Sequence, residues 1–222
     1  MIILKSPIEI DRMRTACRIA YEILLGVGEL VQSGVSTFDL ERFAAAEALK
    51  RKAKCAFKGY HNYPSSLCCS PNNQVVHGLP TKDPLKTGDI LSLDFGVFID
   101  DFYGDAAITV PVGKVSVAAE NLIDATKKSL CAGIEMAVPG NRLGDISYAV
   151  QSYVEKRGFS VVRDFVGHGI GRSLHEDPQV PNYGFPGKGL KLKAGMVLAI
   201  EPMINQNSHE VLVLDDQWTV IT

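Results

Sequence analysis

Two separated stretches of this chain repeat at almost the same displacement, which restricts it to folds built from two similar halves. Lys86-Thr-Gly-Asp-Ile-Leu-Ser-Leu-Asp94 aligns with Lys193-Ala-Gly-Met-Val-Leu-Ala-Ile-Glu201 at a displacement of 107 positions, matching a lysine, a glycine, an apolar run and a terminal carboxylate. Upstream, Gly34, Asp39, Lys50 and Arg51 recur as Gly140, Asp145, Lys156 and Arg157 at a displacement of 106. Short glycine-plus-apolar matches arise by chance, but chance does not readily hold register across the intervening sequence, so the repeat implies duplication. The halves are about 1–112 and 113–222 of one domain; 222 residues, 46% of them apolar and 22% charged, suffice for a single sizeable core.

Each half reads in the same order. Apolar positions from Ile8 through Cys17, Ile23 and Leu24 to Val31 recur at helical spacing, and Ser6-Pro7-Ile8-Glu9 is a capping box with proline at the first helical position, predicting a helix over 7–32. Ser36-Thr37-Phe38-Asp39 opens a second helix that runs toward the basic residues at 50–54. An apolar strand Ile90 to Phe95 follows, then a turn around Gly96 to Asp101 and a returning strand Tyr103 to Val110. The second half predicts helices near 117–137 and 143–157 and strands near 159–165, 196–204 and 210–221. Helices and strands group in pairs, which favours an α+β fold with a curved, largely antiparallel sheet covered by helices on one face and carrying a pocket on the other.

Alternation places chemistry on the pocket face. Ile90, Ser92 and Asp94 share one side of their strand, as do Val197, Ala199 and Glu201, so small residues flank each carboxylate while Leu91, Leu93, Leu198 and Ile200 point to the helices. Asp94, Asp105, His168 and Glu201 together form a hard, mostly anionic donor set that suits Mn²⁺, Fe²⁺, Co²⁺ or Zn²⁺. His168 stands in Gly167-His168-Gly169-Ile170-Gly171, where glycines allow close backbone approach or positive φ in a ligand-presenting loop. His77 and His175 lie among Gly and Pro in loops, where active-site groups concentrate.

A net charge of -2 without blocks of like charge gives no electrostatic case for nucleic acid or an anionic membrane. The N-terminal apolar run is too short for a signal peptide and no stretch is long enough to cross a bilayer, so the expectation is a cytoplasmic protein. Five cysteines without Cys-x-x-Cys pairing favour neither a disulfide framework nor a structural zinc; most are expected to be small buried side chains.

The motifs Ser92-Leu93-Asp94-Phe95-Gly96, Gly104-Asp105-Ala106-Ala107, Gly167-His168-Gly169-Ile170-Gly171, Leu174-His175-Glu176-Asp177-Pro178, Ala199-Ile200-Glu201-Pro202 and Gly59-Tyr60-His61-Asn62-Tyr63-Pro64 with Val76-His77-Gly78 run in order along the chain. In them the chain resembles the type I methionine aminopeptidases of the pita-bread fold. The resemblance implies two divalent ions (Co, Mn, Fe or Zn) sharing a water, with Asp94 on one ion, Asp105 bridging, His168 and Glu201 completing the set, and Glu201 as proton shuttle. His77 and His175 would hydrogen-bond substrate. Tyr60, Tyr63, Cys68 and Trp218 would line the methionine pocket, with Phe57 and Leu174 at neighbouring positions that carry other residue types in the family. The implied activity is removal of the initiator methionine from nascent polypeptides with a small second residue, by a monomer, with ribosome association among the implied partners. The resemblance fails at one point: the family's second bridging glutamate lies in a Glu-His-Thr stretch on a final strand beyond the equivalent of Trp218, and here only Glu210, Asp215 and Asp216 follow Glu201. Four ligands where five are expected imply weakened binding of at least one ion and an exposed sheet edge. Two alternatives remain: an Xaa-Pro peptidase of the same fold, for which no N-terminal domain precedes Asp94, and a binding module that kept the fold but lost the chemistry.

Overall fold

The computed structural model describes residues 2–222; Met1 lies outside the described residues. Helix α1 (Pro7–Glu29) opens on the capping box: Glu9 N–H donates to Ser6 Oγ at 3.4 Å and Ser6 N–H to the Glu9 carboxylate at 2.9 Å. It stops three residues before the expected end. Leu30 N–H turns back to Val27 O at 3.0 Å, and Gly26 and Gly28 weaken the last turns. Helix α2 (Thr37–Lys50) starts at Ser36, whose Oγ accepts from Asp39 N–H at 3.2 Å, and ends where Lys50 and Arg51 both pair with Glu47. Helix α3 (Val117–Met136) is capped by Ser116, and α4 (Leu143–Glu155) begins where Arg142 N–H donates to Asp145 at 2.7 Å.

Residues that recur along the chain also recur in conformation. Gly34 and Gly140 have φ of +92° and +103°, and Gly88 and Gly195 have +102° and +91°, a region open to glycine at little strain. Asp39 and Asp145 both occupy the third position of their helices, where a carboxylate meets the orphan N–H groups.

The strands are β1 (Lys54–Cys55), β2 (Cys68–Pro71), β3 (Gln74–Val76), β4 (Ile90–Ile99), β5 (Phe102–Pro111), β6 (Ser160–Val161), β7 (Gly167–Gly169), β8 (Glu176–Val180), β9 (Leu198–Ala199), β10 (Ile204–Asn205), β11 (Leu212–Val213) and β12 (Val220–Ile221). All their pairings are antiparallel. β5 covers the whole of β4 on one edge, while β1 and β2 lie end to end along the other. The turn is tighter than the sequence predicts: β4 continues through Gly96 to Ile99, and Asp100 and Asp101, at φ of +51° and +68°, make the reversal. Gly96 does not break the strand because it serves packing; a Cβ there would lie 2.7 Å from Phe57 Cε1.

In β4, Leu91, Leu93, Phe95 and Val97 are fully buried against Ala16, Ala20, Ile23 and Leu24 of α1 and Leu40 and Ala44 of α2. Each such side chain contributes about 2 kcal/mol by leaving water. Gly104 of β5 lets α1 lie directly on the sheet, since a Cβ there would meet Ala16 C at 2.3 Å. The second half is assembled differently. Three strands expected over longer spans reduce to the two-residue pieces β6, β9, β10, β11 and β12, with β6 paired to β10, β9 to the three-residue β7 and β11 to β12. Pro202, with no N–H to donate, stands between β9 and β10. α3 and α4 pack on each other, and Ile146, Val180 and Leu192 gather Leu198 and Ile200 into a smaller cluster. Among the described residues no helix is long and apolar enough to cross a membrane.

Candidate metal centre

The β4–β5 register sets the first two carboxylates. Asp94 stands opposite Ala107 and Asp105 opposite Gly96, so the two are diagonal neighbours on one face, roughly 7–8 Å apart at the backbone and within reach of each other's side chains. Their direct cross-strand partners are Ala and Gly, which leave the space above open.

His168 is the middle residue of β7, not part of a loop as its glycines suggested. β8 and β9 flank it, with His168 opposite Gln179 on one side and Ala199 on the other. The glycines serve close approach, and none of Gly167, Gly169 and Gly171 has a positive φ. A Cβ on Gly167 would lie 2.2 Å from Ala199 O, and one on Gly169 would lie 2.2 Å from Asp177 O. Glu201 follows β9, and its backbone carbonyl accepts from the buried Asn182 Nδ2–H at 2.6 Å.

Asp105, His168 and Glu201 converge, their ligand atoms all within 4.8 Å of one another. His168 Nε2 lies 3.7 Å from Asp105 Oδ2 and 3.4 Å from Glu201 Oε1. His168 Nδ1 lies 2.8 Å from Gly169 O, an acceptor only, so Nδ1 carries a proton and Nε2 is the nitrogen offered to the carboxylates. Burial alone would lower the His168 pKa, but a hydrogen bond to Glu201 and the charges of Glu201 and Asp105 raise it above the usual range. Burial and the neighbouring Asp105 and Glu201 hold Asp94 well above the carboxylate range, and burial with Glu201 raises Asp105 to about 7. Asp105 Oδ1 is buried without a hydrogen-bond partner. Crowded carboxylates, an imidazole nitrogen aimed at two of them and an orphaned acceptor oxygen fit a divalent cation, whose charge would take the place of the shared protons.

The remaining expected residues surround this cluster. A cavity of about 340 Å³ opens in front of His168 and His175, with Gly167, Glu176 and Gln179 on its wall. The His175 and His168 rings meet edge to face with centroids 4.2 Å apart, and His175 Nδ1 lies 2.8 Å from Tyr60 Oη. Burial keeps the Tyr60 phenol protonated, so it can donate this bond and leave the proton on His175 Nε2. Burial first, then the His168 charge, lower His175 to about 4, which keeps it neutral. Tyr63, Cys68, Phe57 and Leu174 are buried together, with Tyr60 and Trp218 packed against them; the Tyr63 and Trp218 rings meet edge to face at 5.1 Å. Burial, with Asp94 next, pushes the Cys68 thiol up, so it stays a neutral thiol within this apolar group. Cys69 is likewise buried, Cys17 and Cys55 are half-buried and Cys131 is exposed.

His77, near enough for its charge to act on His175, packs edge to face against Phe165 with centroids 5.6 Å apart. Its φ of +59° is costly for a residue with a side chain and is held by Gly78, which donates to Ser70 Oγ at 3.0 Å and accepts from Cys69 N–H at 2.8 Å. Burial lowers the His77 pKa, with Glu201 opposing. Asn182 and Phe165 stand in no motif that marks them. Lys5, which reaches Glu176, carried one faint signal: a lone cation in an apolar N-terminal run.

A model of metallopeptidase family M24 matches residues 11–220. The methionine aminopeptidase of Clostridium perfringens is 55% identical over 222 residues, all of this chain and 89% of that one. The crystal structure of the methionine aminopeptidase from Thermotoga maritima superposes with a TM-score of 0.98 at 45% identity, covering all of this chain and 90% of that one. The prolidase from Pyrococcus furiosus shares the fold at a TM-score of 0.78 and 22% identity, with this chain covering 57% of it.

Proposed function

This chain belongs to metallopeptidase family M24, and from that premise we propose that Asp94, Asp105, His168 and Glu201 hold two divalent ions beside a methionine-sized pocket. The activity is that of a metal-dependent aminopeptidase removing the N-terminal methionine of polypeptides whose second residue is small. The convergence of Asp105, His168 and Glu201 within 4.8 Å of one another carries this reading, with Asp94 paired across strands to Cys68 of the Tyr63–Cys68–Trp218 cluster in support. When bound, divalent ions of the Mn, Fe, Co or Zn type supply Lewis acidity, lowering the pKa of water and polarising a carbonyl oxygen.

The chain's own residues do the rest. Tyr63, Trp218 and Cys68 exclude water from an unbranched thioether and offer it aromatic edges and a neutral sulfur. His175 donates from Nε2 toward the substrate carbonyl or amide, its other nitrogen fixed by Tyr60. His77 holds the far side of the substrate, and Glu201, partly exposed, moves the proton to the departing amine. The substrates are the N-termini of newly made polypeptides in the cytoplasm, met by a monomer.

The test is release of free methionine from Met-Ala-Ser with added Mn²⁺ or Co²⁺, run beside Ala-Pro-Ala. Methionine release from the first peptide supports the assignment, and cleavage of the second alone replaces it with an Xaa-Pro peptidase.

A further inference from the structure

Lys5 is a buried cation with side-chain exposure of 2%, and it makes contacts to two separate segments of the second half. Its backbone N–H donates to Gly195 O at 2.7 Å, at the start of the segment that leads to Glu201. Its Nζ donates to Glu176 Oε2 at 2.5 Å, the residue next to His175. The other Glu176 oxygen accepts from Arg172 N–H at 2.8 Å and Ser173 N–H at 3.3 Å, so the carboxylate clasps the turn that carries His175. No slack remains around the pair: a Cβ on Gly171 would lie 2.4 Å from Lys5 Cε and 2.5 Å from Glu176 Oε1. From outside, Tyr103 N–H of β5 holds Gly171 O at 2.9 Å.

A buried ion pair is weak as a source of stability, because desolvating both charges offsets most of their attraction. What it fixes is geometry. We infer that the Lys5–Glu176 pair is a positioning device for His175: by anchoring Glu176 inward, it turns the adjacent imidazole outward to Tyr60 and the cavity. Glu176 reaches the cavity wall, but its carboxylate is taken up by Lys5 and the 172–173 backbone, so both residues act through His175. This rests on the substrate-binding role proposed for His175.

The experiment is a double-mutant cycle of Lys5→Met and His175→Ala on Met-Ala-Ser, with bound metal measured in every protein and Lys5→Arg as the conservative control. Lys5→Met is expected to lower kcat/KM by about 10- to 100-fold, mainly in kcat and with metal content unchanged, as for a misplaced catalytic group. Lys5→Arg restores most of this loss, and in the His175→Ala background Lys5→Met changes kcat/KM less than about twofold. Equal losses in both backgrounds, or a lower Tm with kcat intact, overturn the inference. The ¹H–¹³C spectrum of the His175 imidazole reads orientation without turnover: its Hε1 signal shifts in Lys5→Met and in Glu176→Gln but not in Lys5→Arg. An unmoved signal overturns the inference even in an inactive protein, whereas a moved signal with no methionine release from the unmutated chain sinks only the proposed function.

Discussion

The two halves present equivalent carboxylates on unlike supports. Asp94 and Asp105 stand on a ladder of ten paired residues backed by α1 and α2, with fully buried Leu91, Leu93 and Phe95 beneath. Glu201 follows a two-residue strand and His168 lies on a three-residue one; Leu198 and Ile200, leading to Glu201, pack on a small cluster of Ile146, Val180 and Leu192. The first half holds its ligands by depth of packing. The second holds them by short-range devices, namely Asn182 on the Glu201 carbonyl, Gly169 O on the His168 ring and glycines that let three strands crowd together. The repeated sequence thus keeps the direction of a carboxylate while leaving its support free to differ.

That contrast can be broken most decisively at the ligands. Asp105→Asn and His168→Ala should each lower kcat/KM on Met-Ala-Ser on the order of 10³-fold, since both remove a group holding the Lewis acid. Asn182→Ala should cost about 10- to 100-fold through weaker metal affinity, read by metal titration, whereas Asp94 is held by backbone ladders on both edges of its strand. An unchanged metal affinity in Asn182→Ala would erase the distinction between the halves.

Packing gives a smaller but cleaner contrast in urea unfolding. Leu93→Ala should cost about 3 kcal/mol, and Leu198→Ala, half-buried at the corresponding inward position, about 1 kcal/mol. The glycines repeat the pattern. Gly104→Ala drives a methyl into the α1 backbone and should destabilise by about 2–3 kcal/mol. Gly133→Ala meets side chains and no backbone, Val150 Cγ2 at 2.8 Å and Ile146 Cγ2 at 3.5 Å, and gains helix propensity, so its net change should stay within about 1 kcal/mol. Equal losses at the two sites would mean that α3 is held as tightly as α1. Last come the caps: Ser36→Ala should cost about 1 kcal/mol, and Arg142→Ala, whose side chain makes no cap bond, no more than about 0.5 kcal/mol.

What the sequence made legible follows the same division. Ser6–Glu9 and Ser36–Asp39 announced their helices because capping is local, and the alternation in 90–95 announced which side of β4 meets the helices. Four scattered polar residues could be read as one ligand set because their chemistry is specific, and three of them do converge. The extent of the second-half strands was not legible, since a ladder ends where its partner ends and not where apolar residues do. His168 was misplaced in a loop because glycine marks both a turn and a strand packed too tightly for a Cβ, and only tertiary structure separates the two. Lys5 and Glu176 are 171 residues apart, so their pairing left no local trace.

The unbroken pairing of β4 with β5 has a consequence for how this chain can change over time. Asp94 and Asp105 share a face only because the count of residues between them and the reversal at Asp100 and Asp101 has the right parity. One residue inserted or deleted within either arm sends one carboxylate to the helix side and brings a strand neighbour out in its place, Leu93 or Phe95 for Asp94 and Gly104 or Ala106 for Asp105. Viable edits to these arms therefore come in twos, or arrive with a bulge that absorbs the odd residue. A library of single and double codon insertions across 95–99, selected for methionine release, would show survival alternating with insert length.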